Sequence, residues 1–171
     1  MRRFKEIWFV DFEFYAPDGE RPEVLCMVAI ELNSGRTLRY WRDQLTEKPP
    51  FDIGPDTLVV AYYASAEINC FLSLGWLMPE NLLDLFVEFR CSHNGIPPIS
   101  GYGLLGALTT YGIASIDVGE KKEMQGLAMR GGPYSSEERS ALLDEAAIAA
   151  GKTRLLLVEI VTSDIFAVKR K

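Results

Sequence analysis

Two carboxylates stand two residues apart in WFVDFEFYAPDG, residues 8–19, a stretch that is otherwise mostly apolar and aromatic. In a β-strand, side chains alternate between faces, so Ile7, Phe9, Asp11 and Glu13 share one face and Trp8, Val10, Phe12 and Phe14 the other. At the rise of a strand the two acids stand roughly 6–7 Å apart at their backbones, so their oxygens can converge on one cation. Two ionised carboxylates in a low-dielectric setting need cations, basic partners or protons. Hard divalent ions with oxygen ligands meet that need, and two of them about 3.5–4 Å apart are a device for phosphodiester chemistry. The competing reading puts this strand near a sheet edge, with both acids in solvent or paired with Arg36, Arg39 or Arg42.

The elements that must position these acids follow from the apolar pattern. Residues 7–14, 24–32 and 36–42 read as three strands, the last two joined by the turn Asn33-Ser34-Gly35, which makes an antiparallel meander. After the prolines 49, 50 and 55, DTLVVAYY supplies a fourth, buried strand, and SAEINCFLSLGW follows with Ile68, Phe71, Leu72 and Gly75 at helical spacing. NLLDLFVEF, residues 81–89, reads as a fifth strand, with a helix as the alternative for so short an apolar run. Three helical patterns come next, GYGLLGALTTYG, GEKKEMQGLAMRGG and SSEERSALLDEAAIAAG, the last opened by a capping box of Ser135 and Glu138. A meander continuing into strand, helix, strand and helix predicts a mixed sheet covered by helices.

Composition narrows the function classes. A chain of 171 residues with 48% hydrophobic and 25% charged residues has the size and core of one ordinary globular domain. Glu6, Asp11 and Glu13 interrupt what would have to be a signal-peptide core, and no apolar run approaches the roughly 18 residues of a membrane helix, so a soluble cytoplasmic protein is expected. The net charge of −6 argues against holding nucleic acid by bulk positive potential, although carboxylates that hold cations contribute to that charge. Cys26, Cys70 and Cys91, without CxxC spacing, read as buried free thiols.

The DFE of Asp11, Phe12 and Glu13 resembles the first motif of the DEDD 3′–5′ exonucleases, proofreading-type nucleases with a ribonuclease H-like fold. That family follows a strand with a pattern like VAHNAxFD, whose last acid opens a helix. VAYYASAE, residues 60–67, stands in register with it, Glu67 taking the place of the second aspartate. Read without the resemblance, Glu67 is a first-turn acid facing its helix N-terminus, a placement worth about 0.3–1 kcal/mol. Tyr62 and Tyr63 replace the family's histidine and asparagine and could stack on a terminal base. The run to about residue 143, more than four fifths of the chain, looks like the exonuclease domain carried by some family A DNA polymerases.

The ending departs from that pattern. Aligned on Leu142-Leu143-Asp144, the family's tyrosine falls at Glu145 and its closing aspartate at Ala149. LLLVEIV, residues 155–161, is β-branched and strand-like where a helix should continue. The chain therefore divides into an exonuclease-like domain, residues 1–144, and a divergent tail, residues 145–171, that reads as a truncated or frame-shifted ending. Glu145, one helical turn before Ala149, is a substitute fourth ligand, and Asp164 is a further acid without motif support.

Other motifs carry less. Gly151-Lys152-Thr153 closes like a phosphate-binding loop, but Ala146 occupies the first glycine position and a helix precedes it. His93, the only histidine, has no second histidine for a zinc pair and reads as an exposed turn residue. Arg2, Arg3 and Lys5, with Lys169, Arg170 and Lys171, read as solvated termini that could touch a phosphate backbone.

The expectation is an α/β domain with a ribonuclease H-like five-stranded mixed sheet flanked by helices. By the resemblance it is a proofreading-type 3′–5′ exonuclease acting on the single-stranded 3′ end of DNA, impaired by the missing acid, with a DNA polymerase as partner. Two Mg2+ or Mn2+ ions would be held by Asp11, Glu13 and Glu67, with Glu145 as the added ligand, and Phe12, Tyr62 and Tyr63 would contact substrate. The alternative is a catalytically inactive module that binds DNA ends or a polymerase.

Overall fold

The computed structural model of the chain describes residues 4–17, 19–93, 96, 98–113 and 118–162. Its centre is β1 (Glu6–Tyr15), which pairs antiparallel with β2 (Glu23–Glu31); β2 in turn pairs antiparallel with β3 (Thr37–Trp41) across the predicted Asn33-Ser34-Gly35 turn. On its other side β1 pairs in parallel with β4 (Thr57–Ala61), and β4 with the short β5 (Leu82–Asp84). The order β3-β2-β1-β4-β5 is the mixed five-stranded sheet expected from the sequence. Because β1 is central, the edge-strand reading of Asp11 and Glu13 fails. Arg36 pairs with Glu6, Arg39 with Asp144 and Arg42 with Glu23.

The pleat sorts β1 as its alternation requires. Trp8, Val10 and Phe12 enter one core layer with Met27, Ala29, Phe71 and Trp76, and Phe9 enters the opposite layer with Val60, Phe89, Leu108 and Leu156. The first layer lies under α1 (Ala64–Ser73). The second is covered by α2 (Leu85–Ser92), α3 (Leu104–Thr110) and α5 (Ser136–Thr162). A third cluster joins Cys26, Val28 and Trp41 to Ala128 of α4 (Val118–Met129) and to Leu142 and Ala146 of α5. Glu31, 4% exposed, pins the hairpin turn: its carboxylate accepts from Ser34 N–H and Oγ at 2.7 Å each, Asn33 N–H at 3.0 Å and Ile7 N–H at 3.3 Å.

Three expectations are corrected. Of residues 81–89 only the first part is strand, because the Asp84 carboxylate accepts the N–H groups of Phe86 and Val87 at 2.9 and 3.3 Å and so starts α2. Residues 155–161 are helical, not strand-like: α5 runs unbroken across 144 and 145 and buries Leu142, Ala146, Ala150, Thr153, Leu156 and Ile160 at helical spacing. Tertiary packing overrides β-propensity here. Cys91 is exposed, whereas Cys26 and Cys70 are buried as expected.

Gly151, Lys152 and Thr153 lie inside α5, so they form no phosphate-binding loop. His93 caps the end of α2, its N–H donating to Phe89 and Arg90 carbonyls. Lys5 pairs with Asp56 at 2.6 Å; Arg2, Arg3, Asp164, Lys169, Arg170 and Lys171 lie outside the described residues. Among the described residues no helix is long and apolar enough to cross a membrane.

Candidate active site

The parallel pairing of β1 with β4 ends at Phe9 and Val60. Asp11 and Glu13 therefore sit on the part of β1 that runs beyond its parallel partner, next to the point where β4 hands over to α1. This is the carboxyl end of the parallel strands, where open α/β sheets leave a crevice for ligands. Glu67 enters the crevice from the first turn of α1. A cleft of about 380 Å³ is lined by Asp11, Phe12, Glu13 and Phe14 of β1, by Tyr63, Ala66 and Glu67, by Gln125, Ala128 and Met129 of α4, and by Glu145 and Ala149 of α5. One cleft thus brings together the three predicted acids, the candidate Glu145 and the position of the missing aspartate.

Glu67 is the most constrained member. It is 6% exposed, and its Oε2 is buried without a hydrogen-bond partner. Burial, followed by the charges of Asp11, Glu13 and Asp84, raises its pKa well above the ordinary glutamate value; a hydrogen bond from the Phe12 backbone N–H pulls the other way. A buried carboxyl oxygen without a partner costs about 1–3 kcal/mol unless something at the site satisfies it.

Whether the residues fit a metal ion has two sides. The donors are all oxygens, as a hard cation requires, and the orphaned Oε2 beside two further carboxylates is chemistry that a divalent charge would satisfy. Among the described residues, however, no three His, Cys, Asp or Glu side chains stand close enough together to hold an ion as they are. The donors fit a hard cation in kind, without forming a ready-made cage.

The aromatic candidates divide. The Phe12 ring is 4% exposed and packs edge-on against Phe71 at 5.9 Å, so it is a core residue whose backbone N–H meets Glu67. The Tyr62 hydroxyl donates to the Tyr102 carbonyl, and its ring meets Phe86 edge-on at 6.0 Å. Burial raises its pKa, with the Asp84 charge adding to the effect. Tyr63 is 52% exposed and lies at φ 74, the one non-glycine among the described residues with a positive φ. That left-handed backbone costs about 1–2 kcal/mol for a residue with a Cβ. Sequence reading missed Asp84 and Phe86, which stand beside Tyr63; the signal was an aspartate placed as an N-cap before LFVEF.

Comparison with solved structures places this arrangement. RNase D of Escherichia coli, described as an exoribonuclease involved in structured RNA processing, superposes with a TM-score of 0.58 at 15% identity, over 96% of this chain. The chain spans 43% of that protein's length. The EXO domain of Nibbler from Aedes aegypti superposes with a TM-score of 0.50 at 12% identity, over 90% of this chain and 80% of that one. The fold, a mixed five-stranded sheet flanked by helices, is ribonuclease H-like, as in these two structures. At such identities the likeness defines the fold alone. No protein-family model matches the chain, and no curated protein does.

Proposed function

We propose that the chain is a metal-dependent 3′–5′ exonuclease domain that removes nucleotides from the single-stranded 3′ end of a polynucleotide. The observation that carries this reading is the meeting of Asp11, Glu13 and buried Glu67, with its orphaned Oε2, in one cleft at the carboxyl end of the parallel strands. Bound Mg2+ or Mn2+ would supply positive charge at the scissile phosphate and a water of lowered pKa. Asp11 and Glu67 would hold such ions from two different elements. Glu13 would join them and orient the attacking water. Tyr63, exposed at the rim, contacts the terminal nucleotide. As the water oxygen would bond to phosphorus, the P–O3′ bond would break; the water's proton would leave toward the carboxylate cluster, the departing 3′ oxygen would take a proton from solvent, and no side chain bonds covalently to phosphorus. The sequence resemblance favours DNA and a polymerase partner, whereas the structural likeness to a protein described as an exoribonuclease supports RNA.

The test uses 5′-labelled single strands of DNA and of RNA with Mg2+ or Mn2+, beside Asp11→Ala. Stepwise shortening from the 3′ end that the variant lacks is expected; shortening that the variant retains would locate the activity elsewhere. A second reading, an inactive module that binds ends, has its own observation: Ala149 supplies no ligand where the cleft would close. It predicts binding without shortening in every arm.

A further inference from the structure

The outer face of α5 is patterned in a way that packing within the chain does not explain. Its buried stripe, Leu142 to Ile160, faces the sheet. On the opposite side Ile148, Gly151, Leu155, Val158 and Thr162 recur at steps of three, four, three and four, the spacing of a coiled-coil seam. From residue 145 to the end of α5 the exposed positions are Ile148, Leu155, Val158, Val161 and Thr162, and none carries a charge. A helix that meets only water on its outer side puts charged and polar residues there. Here Lys152, Arg154 and Glu159 stand on the flanks, half-buried.

Gly151 is a second, independent sign of a partner. It lies inside a 27-residue helix, and a Cβ built on it would meet nothing within 4 Å. Glycine in a helix interior costs about 1 kcal/mol relative to alanine. No contact among the described residues requires a glycine there, whereas a missing side chain within an apolar seam lets another helix approach closely. An apolar groove of about 980 Å³ adjoins the same flank, between Val161 and the starts of β1 and β4 at Ile7 and Leu58.

Shape and charge together select the occupant. Laid antiparallel on itself, the seam places Leu155 against the partner's Val158 and Gly151 against the partner's Thr162, each contact occurring twice. In that register each Lys152 meets the partner's Glu159 along one flank. Arg154, on the other flank, donates to the Leu32 carbonyl of its own chain at 3.2 Å and faces the partner's Val161. A slip of one heptad would instead bring Lys152 against the partner's Lys152 and Glu145 against the partner's Glu159, so charge excludes it.

We propose that the outer face of α5 is a self-association surface on which a second copy of this chain lays its own α5 antiparallel. Two heptads alone cover less than the roughly 800 Å² per partner of a standard interface, and the adjoining groove supplies further apolar surface. The expected association is therefore of micromolar strength. The seam lies on a different face of α5 from Glu145 and Ala149, which line the acidic cleft, so pairing is independent of the exonuclease reading.

Sedimentation equilibrium of the full chain between about 1 and about 200 µM tests it, with a monomer–dimer equilibrium expected inside that range. Leu155→Glu, at an exposed position, should weaken dimerisation at least about tenfold while leaving the far-ultraviolet circular dichroism unchanged. Lys152→Glu should weaken it too, and Lys152→Glu combined with Glu159→Lys should restore it, a rescue that a merely structural role would not give. A wild type that stays monomeric throughout overturns the proposal, as does a dimer that Leu155→Glu leaves intact. Failure of the double exchange to restore what Lys152→Glu loses overturns the antiparallel register. The wild-type measurement decides the matter even where a variant fails to fold.

Discussion

Glu145 and Ala149 lie one turn apart on α5, and both face the cleft that Asp11, Glu13 and Glu67 line. The helix thus presents a glutamate early and leaves a methyl group where a fourth carboxylate would complete an oxygen cage. Ala149→Asp is expected to raise divalent-cation affinity and the rate of 3′-end shortening by at least about tenfold, since one good ligand or a correctly placed water is worth that much. Without metal the same change should lower the thermal midpoint, because it adds like charge to the cluster. Calorimetry with Mn2+, kinetics and thermal unfolding check all three; unchanged metal affinity would mean that this face of α5 is misassigned. If Glu145 serves as the substitute ligand, Glu145→Gln should weaken Mn2+ binding about tenfold.

Buried Glu67 gives a prediction of opposite sign for stability and for metal binding. Glu67→Gln removes a carboxylate that burial, Asp11 and Glu13 all disfavour in its charged form. At neutral pH without divalent ions the variant should be more stable by about 1–2 kcal/mol, or roughly 2–8 °C in thermal midpoint. The rise in midpoint that Mn2+ gives the wild type should disappear. A variant less stable than wild type in chelator would show that Glu67 is a structural hydrogen-bonding group.

Glu31 supplies the pH dependence. Burial pushes its carboxyl up, but the Ser34 N–H and hydroxyl and the Asn33 and Ile7 N–H groups outweigh that and hold it at about 2 against an ordinary 4.5. A carboxylate with a depressed folded value adds stability that is complete above about pH 4.5 and is lost as pH falls toward 2. The contribution is on the order of 3 kcal/mol at neutral pH. Glu31→Gln should therefore destabilise the protein at pH 7, with the difference from wild type shrinking between pH 4.5 and pH 2. Denaturant titrations across that range measure it; a constant difference would assign the effect to lost packing.

The continuation of α5 past residue 154 is testable at Leu156, which is fully buried against the Phe9 layer. Leu156→Ala should cost about 2–5 kcal/mol. A loss below 0.5 kcal/mol would place residue 156 outside the core.

Much of this molecule was legible where short-range periodicity and burial agree. The alternation Ile7-Phe9-Asp11-Glu13 against Trp8-Val10-Phe12-Phe14 gave the strand and the acids' common face, though not its central place in the sheet, and the turn at residues 33–35 gave the hairpin. The register of Glu67 with a family pattern brought the second element to the site before its coordinates did. Two apolar runs, LFVEF and LLLVEIV, misled because both are rich in strand-forming residues; one is made helical by a local cap and the other by contacts far along the chain. For α2 the decisive feature is the Asp84 cap, and for α5 the stripe from Leu142 to Ile160 against the sheet. Tyr63 was named from the sequence, but its contact with Phe86 was not, because it joins residues 23 apart through bonds to Asp84. Phe12 was assigned to substrate by its neighbours, whereas the pleat turns its ring into the core.

The central claim is that the carboxylates of β1 and α1 close around divalent cations. Isothermal titration calorimetry of Mn2+ into the wild type and into Asp11→Asn and Glu67→Gln tests it most directly. Uptake approaching two ions per chain in the wild type, weakened at least about tenfold in each variant, is the expected result. No uptake by the wild type, or uptake that neither substitution changes, would contradict the account.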